Sequence, residues 1–466
     1  MKTPIEQLRK RSQENWLLGY EPLDFFTLTE NFYQKLDNPI PQKILLVEPD
    51  PILFLAGFIA AYSRGHHVFL GNPAWGLFEW QQVFDLVAPD LVLGNCECAQ
   101  QYHVSWRSHH RDHLSQPVNQ TLNQASTLIM IPTGGSSGRI RFAMHTWQTL
   151  MASVEGFREY FQLSEVNSIC VLPLHHVSGL MQFMRTFSSG GQLLILPFKE
   201  LKIGKLANFA PQEFFISLVP TQLQSILSNF HIASWLSQCS TVLLGGAPAW
   251  SELLEKARFY HIRLAPAYGM TETASQIATL KPESFLNGTN GSYQILPHID
   301  IKIYDEKGKS LDSQQIGRIA IYSPSLALGY YPELFSEHGV FYPDDVGFLD
   351  EKAALQIIGR SSDKIITGGE NVFPSEIETA IRATGLVTDV FVIGKADNYW
   401  GQIISAVYVP INSDISSQDI RQAMVDKIAH FKIPKLWLEI KEIPINEQGK
   451  VNRQQIQELL SKQNAF

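Results

Sequence analysis

Short apolar runs separated by helix-length stretches dominate the first three quarters of this chain, and they narrow its fold more than any other feature. Runs suited to buried strands are Lys43–Val47, His67–Leu70, Leu91–Leu93, Leu128–Pro132, Ser168–Leu172, Leu193–Pro197, Phe214–Val219, Thr241–Leu244 and Arg263–Ala267. Between them lie helix-like stretches such as Thr146–Tyr160 and Ser251–Tyr260, and the run Ile52–Tyr62 suits a buried helix. A strand apolar on both faces needs helices on both sides, so the alternation predicts an α/β fold of parallel sheets covered by helices. Ligands in such sheets bind outside the carboxyl ends of the strands, where the loops after Pro132, Leu244 and Ala267 leave. From about Asp300 the pattern changes: Ile301–Tyr304 and Arg318–Tyr322 suit strands of a β-rich subdomain. A smaller α+β unit follows Arg360, with strands near Val390–Ile393 and Ile403–Val409, a helix near Ser417–Ala429 and a last helix from Arg453.

The length, 466 residues, exceeds one ordinary core, so two or more domains are expected. The net charge of −8 gives no electrostatic footprint for nucleic acid or an anionic membrane. No run approaches the roughly 18 apolar residues of a membrane span, and no apolar segment follows the basic Arg9, Lys10 and Arg11 as in a signal peptide. Cys96 and Cys98 are too close to bridge comfortably, and Cys170 sits in an apolar run; with Cys239 they fit reduced, cytoplasmic usage. His109, His110 and His113 cluster among Arg and Ser, as in a solvated loop rather than a metal site.

The segment Met130-Ile-Pro-Thr-Gly-Gly-Ser-Ser-Gly-Arg-Ile-Arg141 carries the strongest chemical signal. A strand-like run leads into a loop of small hydroxyls and glycines that ends in two arginines. Free amides, hydroxyls and cations at one point suit a polyphosphate, although the Walker spacing is absent and many Ser/Gly loops are only turns. Further along come Leu243-Leu-Gly-Gly-Ala-Pro248, Ala267-Tyr-Gly-Met-Thr-Glu-Thr273, Gly359-Arg-Ser-Ser-Asp363, Gly368-Gly-Glu-Asn371 and Gly449-Lys-Val-Asn-Arg453.

In this order the six motifs resemble those of the adenylate-forming enzymes, the superfamily of acyl-CoA synthetases, luciferases and peptide-synthetase adenylation domains. The resemblance implies a large N-terminal domain, 1–360, and a small mobile C-terminal domain, 361–466, joined by a hinge near Ser361–Asp363. It implies ATP and Mg2+ in a first half-reaction and coenzyme A in a second. Thr133, Gly134, Gly135, Ser136, Ser137, Gly138, Arg139 and Arg141 would grip the β- and γ-phosphates. Arg139 keeps the cation where the family has lysine, and Phe142 replaces the usual glycine at the loop exit. Glu272 would ligate magnesium, with Thr271 beside the phosphates. Tyr268 would stack on adenine, with Gly245, Gly246, Ala247, Pro248 and Gly269 around the nucleotide. Asp345 would accept the ribose hydroxyls, with Asp344 a competitor for that role, and Arg360 would be the second ribose contact. Lys450 would enter the site for adenylation, and Gly368 and Gly369 would let CoA pass. Ser362 stands where the family's hinge has Asp or Lys.

The segment Leu172-Pro-Leu-His-His-Val-Ser-Gly-Leu180 resembles the family's acyl pocket, with His176 at the gate. Together with Leu243–Pro248 and Tyr268–Gln276 it is most similar to the branch that joins o-succinylbenzoate to CoA in menaquinone and phylloquinone synthesis. Arg185 lies in an otherwise apolar segment and would need an anion there. It resembles the arginine that receives the second carboxylate of an aromatic dicarboxylate; snorkelling to solvent is the alternative. Ser217 and Thr221 would add hydroxyl contacts. The remaining alternatives are a CoA ligase for another aryl or medium-chain acid, and a nucleotide-binding homologue without turnover. Oligomeric state is left open.

Overall fold

The computed structural model describes residues 3–101, 103, 127–134, 139–205, 210–337, 339–367, 370–397, 400–425, 427–445 and 451–462. Two large sheets carry the N-terminal part. The first runs in the order Leu17–Leu18, Leu193–Ile195, Asn167–Cys170, Phe214–Leu218, Thr241–Leu244, Leu264–Met270, Ser275–Thr279, Gln294–Ile295. Its first six strands are parallel, and the last two return antiparallel. The second sheet runs Glu333–Leu334, Gly329–Tyr330, Ile140–His145, Ile129–Gly134, His67–Leu70, Lys43–Leu46, Leu91–Leu93.

Helices fill the space between these sheets. Pro51–Ser63 begins with Asp50 accepting from the Ile52 and Leu53 amides and with Pro51 in its first turn. It is apolar on nearly every face and is buried accordingly. Phe58 meets Phe183 of the helix Val177–Ser189 edge to face, with 6.2 Å between ring centroids. One apolar cluster joins those helices and Trp147–Phe161 to Ile44 and Leu46 of one sheet and Cys170 and Leu193 of the other.

The β-rich subdomain is a five-stranded sheet built on Asp300–Tyr304, Gly317–Tyr322, Asp345–Leu349 and Leu355–Arg360. Past Arg360 a second five-stranded sheet has its own core, including Ile365, Ile377, Ile381, Val392, Ile404 and Met424. Two expectations need correction. The sheets are not wholly parallel, because each large one ends in antiparallel strands. The helix expected over Ser417–Ala429 ends at Met424: Ile420 and Met424 bury one face, while Val425 is exposed and extended.

Candidate active site

The phosphate-loop motif sits on a hairpin. Ile129–Gly134 and Ile140–His145 pair antiparallel, with Thr133 opposite Arg141 and Gly134 opposite Ile140. Gly135, Ser136, Ser137 and Gly138 lie outside the described residues; the two strands on either side of them pair with each other in the second large sheet. Phe142, the departure at the loop exit, is fully buried edge-on to Phe69, at 5.3 Å between centroids. It is a core residue, so the substitution leaves the loop's exposed Arg139 and Arg141 in place.

Arg141 stacks its guanidinium over the Tyr330 ring, 4.0 Å from the centroid. The Tyr330 hydroxyl donates to Glu272 Oε1 at 2.5 Å. Burial and the adjacent Glu272 carboxylate push the Tyr330 phenol well up, so the hydroxyl stays a donor. Cation, phenol and buried carboxylate thus form one chain from hairpin to Glu272. Tyr330 escapes a motif search because its position comes from pairing with Ala143 of the hairpin, not from spacing to Glu272.

Glu272 is carried by the single turn Thr271–Thr273 at the carboxyl end of Leu264–Met270. Its neighbouring carbonyls are each captured: Thr271 O by His145 Nε2 at 2.8 Å, Glu272 O by the Ala327 amide at 2.8 Å, Thr273 O by Ser325 Oγ at 3.1 Å and Ala274 O by Ser153 Oγ at 2.7 Å. Ala274 and Ser275 follow with φ of 53° and 99°, a left-handed stretch that needs such anchoring. Gly269 permits the return: a Cβ there would lie 2.2 Å from Ser275 O.

The Tyr268 hydroxyl donates to Asp345 Oδ2 at 2.7 Å, and Arg360 Nε lies 3.4 Å from Asp345 Oδ1 across the strand pair. Burial, then the Asp345 charge, raises the Tyr268 phenol well above its usual range. Asp344 is engaged elsewhere, accepting from the Ser362 amide at 3.1 Å through its side chain. The backbone therefore separates the two aspartates: Asp345 faces Tyr268, and Asp344 holds the segment after Arg360. Gly245, Gly246, Ala247 and Pro248 form the loop after Thr241–Leu244, and Gly246 has φ +85°.

His176 occupies the N-cap position of the helix Val177–Ser189, with its ring 4.4 Å from that of His175. Nine residues further along the same helix, Arg185 is 2% exposed, which excludes snorkelling. Its guanidinium lies 4.1 Å over Phe157 and donates to Ser275 Oγ at 3.0 Å and Gln276 Oε1 at 3.4 Å, while Nε has no partner. No carboxylate among the described residues pairs with it, and desolvation lowers its pKa to about 9. The hydroxyl at Arg185 is that of Ser275. Ser217 lies opposite Leu243 in the sheet and Thr221 opens the helix Pro220–Leu227, and neither shares a hydrogen bond with Arg185. Gly368, Gly369 and Lys450 lie outside the described residues. Arg453, three positions past Lys450, makes a two-pronged ion pair with Asp363, beside Ser362. No group of three or more potential metal-binding side chains (His, Cys, Asp, Glu) occurs among the described residues, and His109, His110 and His113 lie outside them.

A parallel sheet ending in a carboxylate-bearing turn, beside a Gly/Ser hairpin, is the arrangement of a nucleotide-dependent enzyme. The chain matches the AMP-binding enzyme family over residues 42–331 and the AMP-binding enzyme C-terminal domain over residues 376–450; it belongs to the AMP-binding enzyme family. Its similar relatives include the 2-succinylbenzoate–CoA ligase of Listeria monocytogenes, 32% identical over 75% of this chain and 74% of the relative. That of Enterococcus faecalis is 30% identical over 72% of this chain and 70% of the relative. Solved structures that share the fold include two of matching length. One is o-succinylbenzoate CoA synthetase from Bacillus subtilis in complex with its acyl-adenylate intermediate (TM-score 0.79, 22% identity, 98% of each chain). The other is ATP-bound MatB from Rhodopseudomonas palustris (TM-score 0.82, 21% identity, 98% of each chain).

Proposed function

We propose that this chain is an AMP-forming 2-succinylbenzoate–CoA ligase of menaquinone or phylloquinone synthesis, built as domains 1–360 and 361–466. The observation that carries the substrate is Arg185: a buried cation without a carboxylate partner among the described residues, on the helix whose N-cap position His176 occupies. An acid with two carboxylates supplies the missing anion while leaving its other carboxylate to react. The names of the relatives agree with that reading.

In the first half-reaction a carboxylate oxygen attacks the α-phosphorus of ATP and pyrophosphate leaves. Both reactants are anions, so fixed positive charge and aligned donors are what the protein must supply. Arg139 and Arg141 flank the phosphate loop, and Thr133 is fixed opposite Arg141. Glu272 offers a hard oxygen donor, held at one oxygen by Tyr330, so the donor chemistry at this turn fits magnesium beside Thr271. When bound, Mg2+ neutralises phosphate charge there. Tyr268, held by Asp345, would face the adenine, and Asp345 with Arg360 the ribose. Lys450 would bring charge to the reacting oxygens. In the second half-reaction the CoA thiolate attacks the acyl carbon and AMP leaves, with Gly368 and Gly369 lining the approach. No helix among the described residues is long and apolar enough to cross a membrane, and all four cysteines are free, which supports a cytoplasmic setting.

The test is CoA-ester formation with ATP, magnesium and o-succinylbenzoate, benzoate, cinnamate or octanoate. Strong preference for o-succinylbenzoate is expected. Turnover of the monoacids alone would keep the enzyme class and overturn the substrate.

A further inference from the structure

Around Arg185 the structure leaves several buried polar atoms without partners among the described residues: Arg185 Nε, Gln276 Nε2, and both ring nitrogens of His298. His298 lies in the turn between Gln294–Ile295 and Asp300–Tyr304, far in sequence from every motif. It is close enough to feel the Arg185 charge, which adds to burial in disfavouring its protonated form. Buried polar groups in folded proteins are ordinarily hydrogen-bonded, and each orphan costs free energy. A group of such donors packed together is therefore a site with an acceptor to come.

The helix Trp147–Phe161 has been shaped around this ring. Gly156 sits in its interior, where glycine is less stable than alanine by roughly 1 kcal/mol. A Cβ at 156 would lie 1.8 Å from His298 Nδ1, so only glycine leaves room for the imidazole. The next residue, Phe157, carries the Arg185 guanidinium on its face. Two adjacent helix positions thus seat the two groups, one by omission of a side chain and one by stacking.

We infer that His298 is a specificity-determining residue, donating a ring N–H to the carboxylate of the acid that is not activated, alongside Arg185 and Gln276. The inference rests on the reading of Arg185 given above. A carboxylate only accepts, so it satisfies Arg185 Nε–H, the Gln276 amide and one imidazole N–H together. Arg185 supplies charge, while the neutral ring selects an acceptor at one fixed place.

The test compares kcat/KM for o-succinylbenzoate with that for 3-benzoylpropionate, the same skeleton without the ring carboxylate, in wild type, His298→Phe, His298→Gln and Gly156→Ala. His298→Phe keeps the ring volume and removes the donor. The expected result is a fall of about tenfold or more in the dicarboxylate-to-monocarboxylate ratio, the size of a lost hydrogen bond to a charged group. His298→Gln, which keeps a donor, recovers part of the ratio, and Gly156→Ala lowers it by displacing the ring. The loss appears mainly in KM for the dicarboxylate. An unchanged ratio in His298→Phe, or an equal loss on both acids, overturns the inference. Should Gly156→Ala fail to fold, the two His298 variants decide the matter. A wild-type enzyme that ignores o-succinylbenzoate but turns over the monoacid instead overturns the functional reading itself.

Discussion

His145 Nε2 and the main-chain carbonyl of Thr271 lie 2.8 Å apart, joining the end of the hairpin Ile129–Gly134/Ile140–His145 to the turn that carries Glu272. A carbonyl only accepts, so Nε2 bears the proton and Nδ1 accepts from Thr149 Oγ1 at 3.0 Å. The imidazole is fully buried and neutral, and burial lowers its pKa to about 4.

Stability should therefore fall on mild acidification. Between the ordinary histidine value of 6.5 and about 4, the unfolded chain binds a proton at His145 that the folded chain refuses. The contribution is intact above pH 6.5, is lost progressively as pH drops, and levels off below about 4, amounting to roughly 3 kcal/mol in the limit. His175, lowered to about 2, and His298, lowered to about 4, add in the same direction. Urea midpoints at pH 7 and pH 5 should differ clearly, and His145→Gln should flatten that difference while lowering the midpoint at pH 7. Equal pH dependence in the variant would remove His145 from the account.

The strand runs and the ordered motifs were legible because they are local: an apolar stretch such as Thr241–Leu244 or His67–Leu70 announces itself, and its bounds match the structure. Arg185 was legible because a lone cation in an apolar segment conflicts with its surroundings. What surrounds the motifs was not. Tyr330, His145, Ser153, Ser325 and His298 come from elements distant in sequence, and only strand pairing or helix packing brings them to the site. Ser275 reaches Arg185 because the chain reverses after Met270, a contact that no spacing in the sequence announces.

Tyr330→Phe removes the hydrogen bond that orients Glu272 without changing the ring under Arg141. A hydrogen bond to a charged acceptor is worth about 1.5–3 kcal/mol, so adenylation should fall on the order of tenfold or more, chiefly through KM for magnesium–ATP. Pyrophosphate exchange measured against magnesium concentration checks this. An unaltered KM would mean that Glu272 is held by the carbonyl anchors alone.

Asp363→Asn should act on the half-reaction that we propose Lys450 serves. The Asp363–Arg453 pair ties the residue after Ser362 to the first residue of the last helix, three positions beyond Lys450. Ser362 itself offers no charge for a latch, and Asp363 supplies one a residue later. The pair is half-exposed on the arginine side, so its effect on global stability should be small. Adenylate formation should slow several-fold, while transfer from preformed adenylate to CoA slows less; equal slowing of both steps would rule out a link to Lys450.

Arg185→Met tests whether a stable fold and a selective site are in conflict at this position. In the free enzyme the guanidinium is buried over Phe157, its Nε is unpartnered, and no carboxylate among the described residues offsets its charge. A buried cation left so is unfavourable, and methionine fills a similar volume with no charge to desolvate. The variant should therefore unfold at a higher temperature than wild type, by a few degrees for a stabilisation of about 1–2 kcal/mol. Its kcat/KM for o-succinylbenzoate should at the same time drop about a hundredfold or more, since the second carboxylate loses a charged partner, while a monocarboxylate suffers far less. Differential scanning calorimetry and the acid panel on the same preparation give both numbers. A lower melting temperature together with an equal loss on every acid would mean that Arg185 holds the helix in place rather than the substrate.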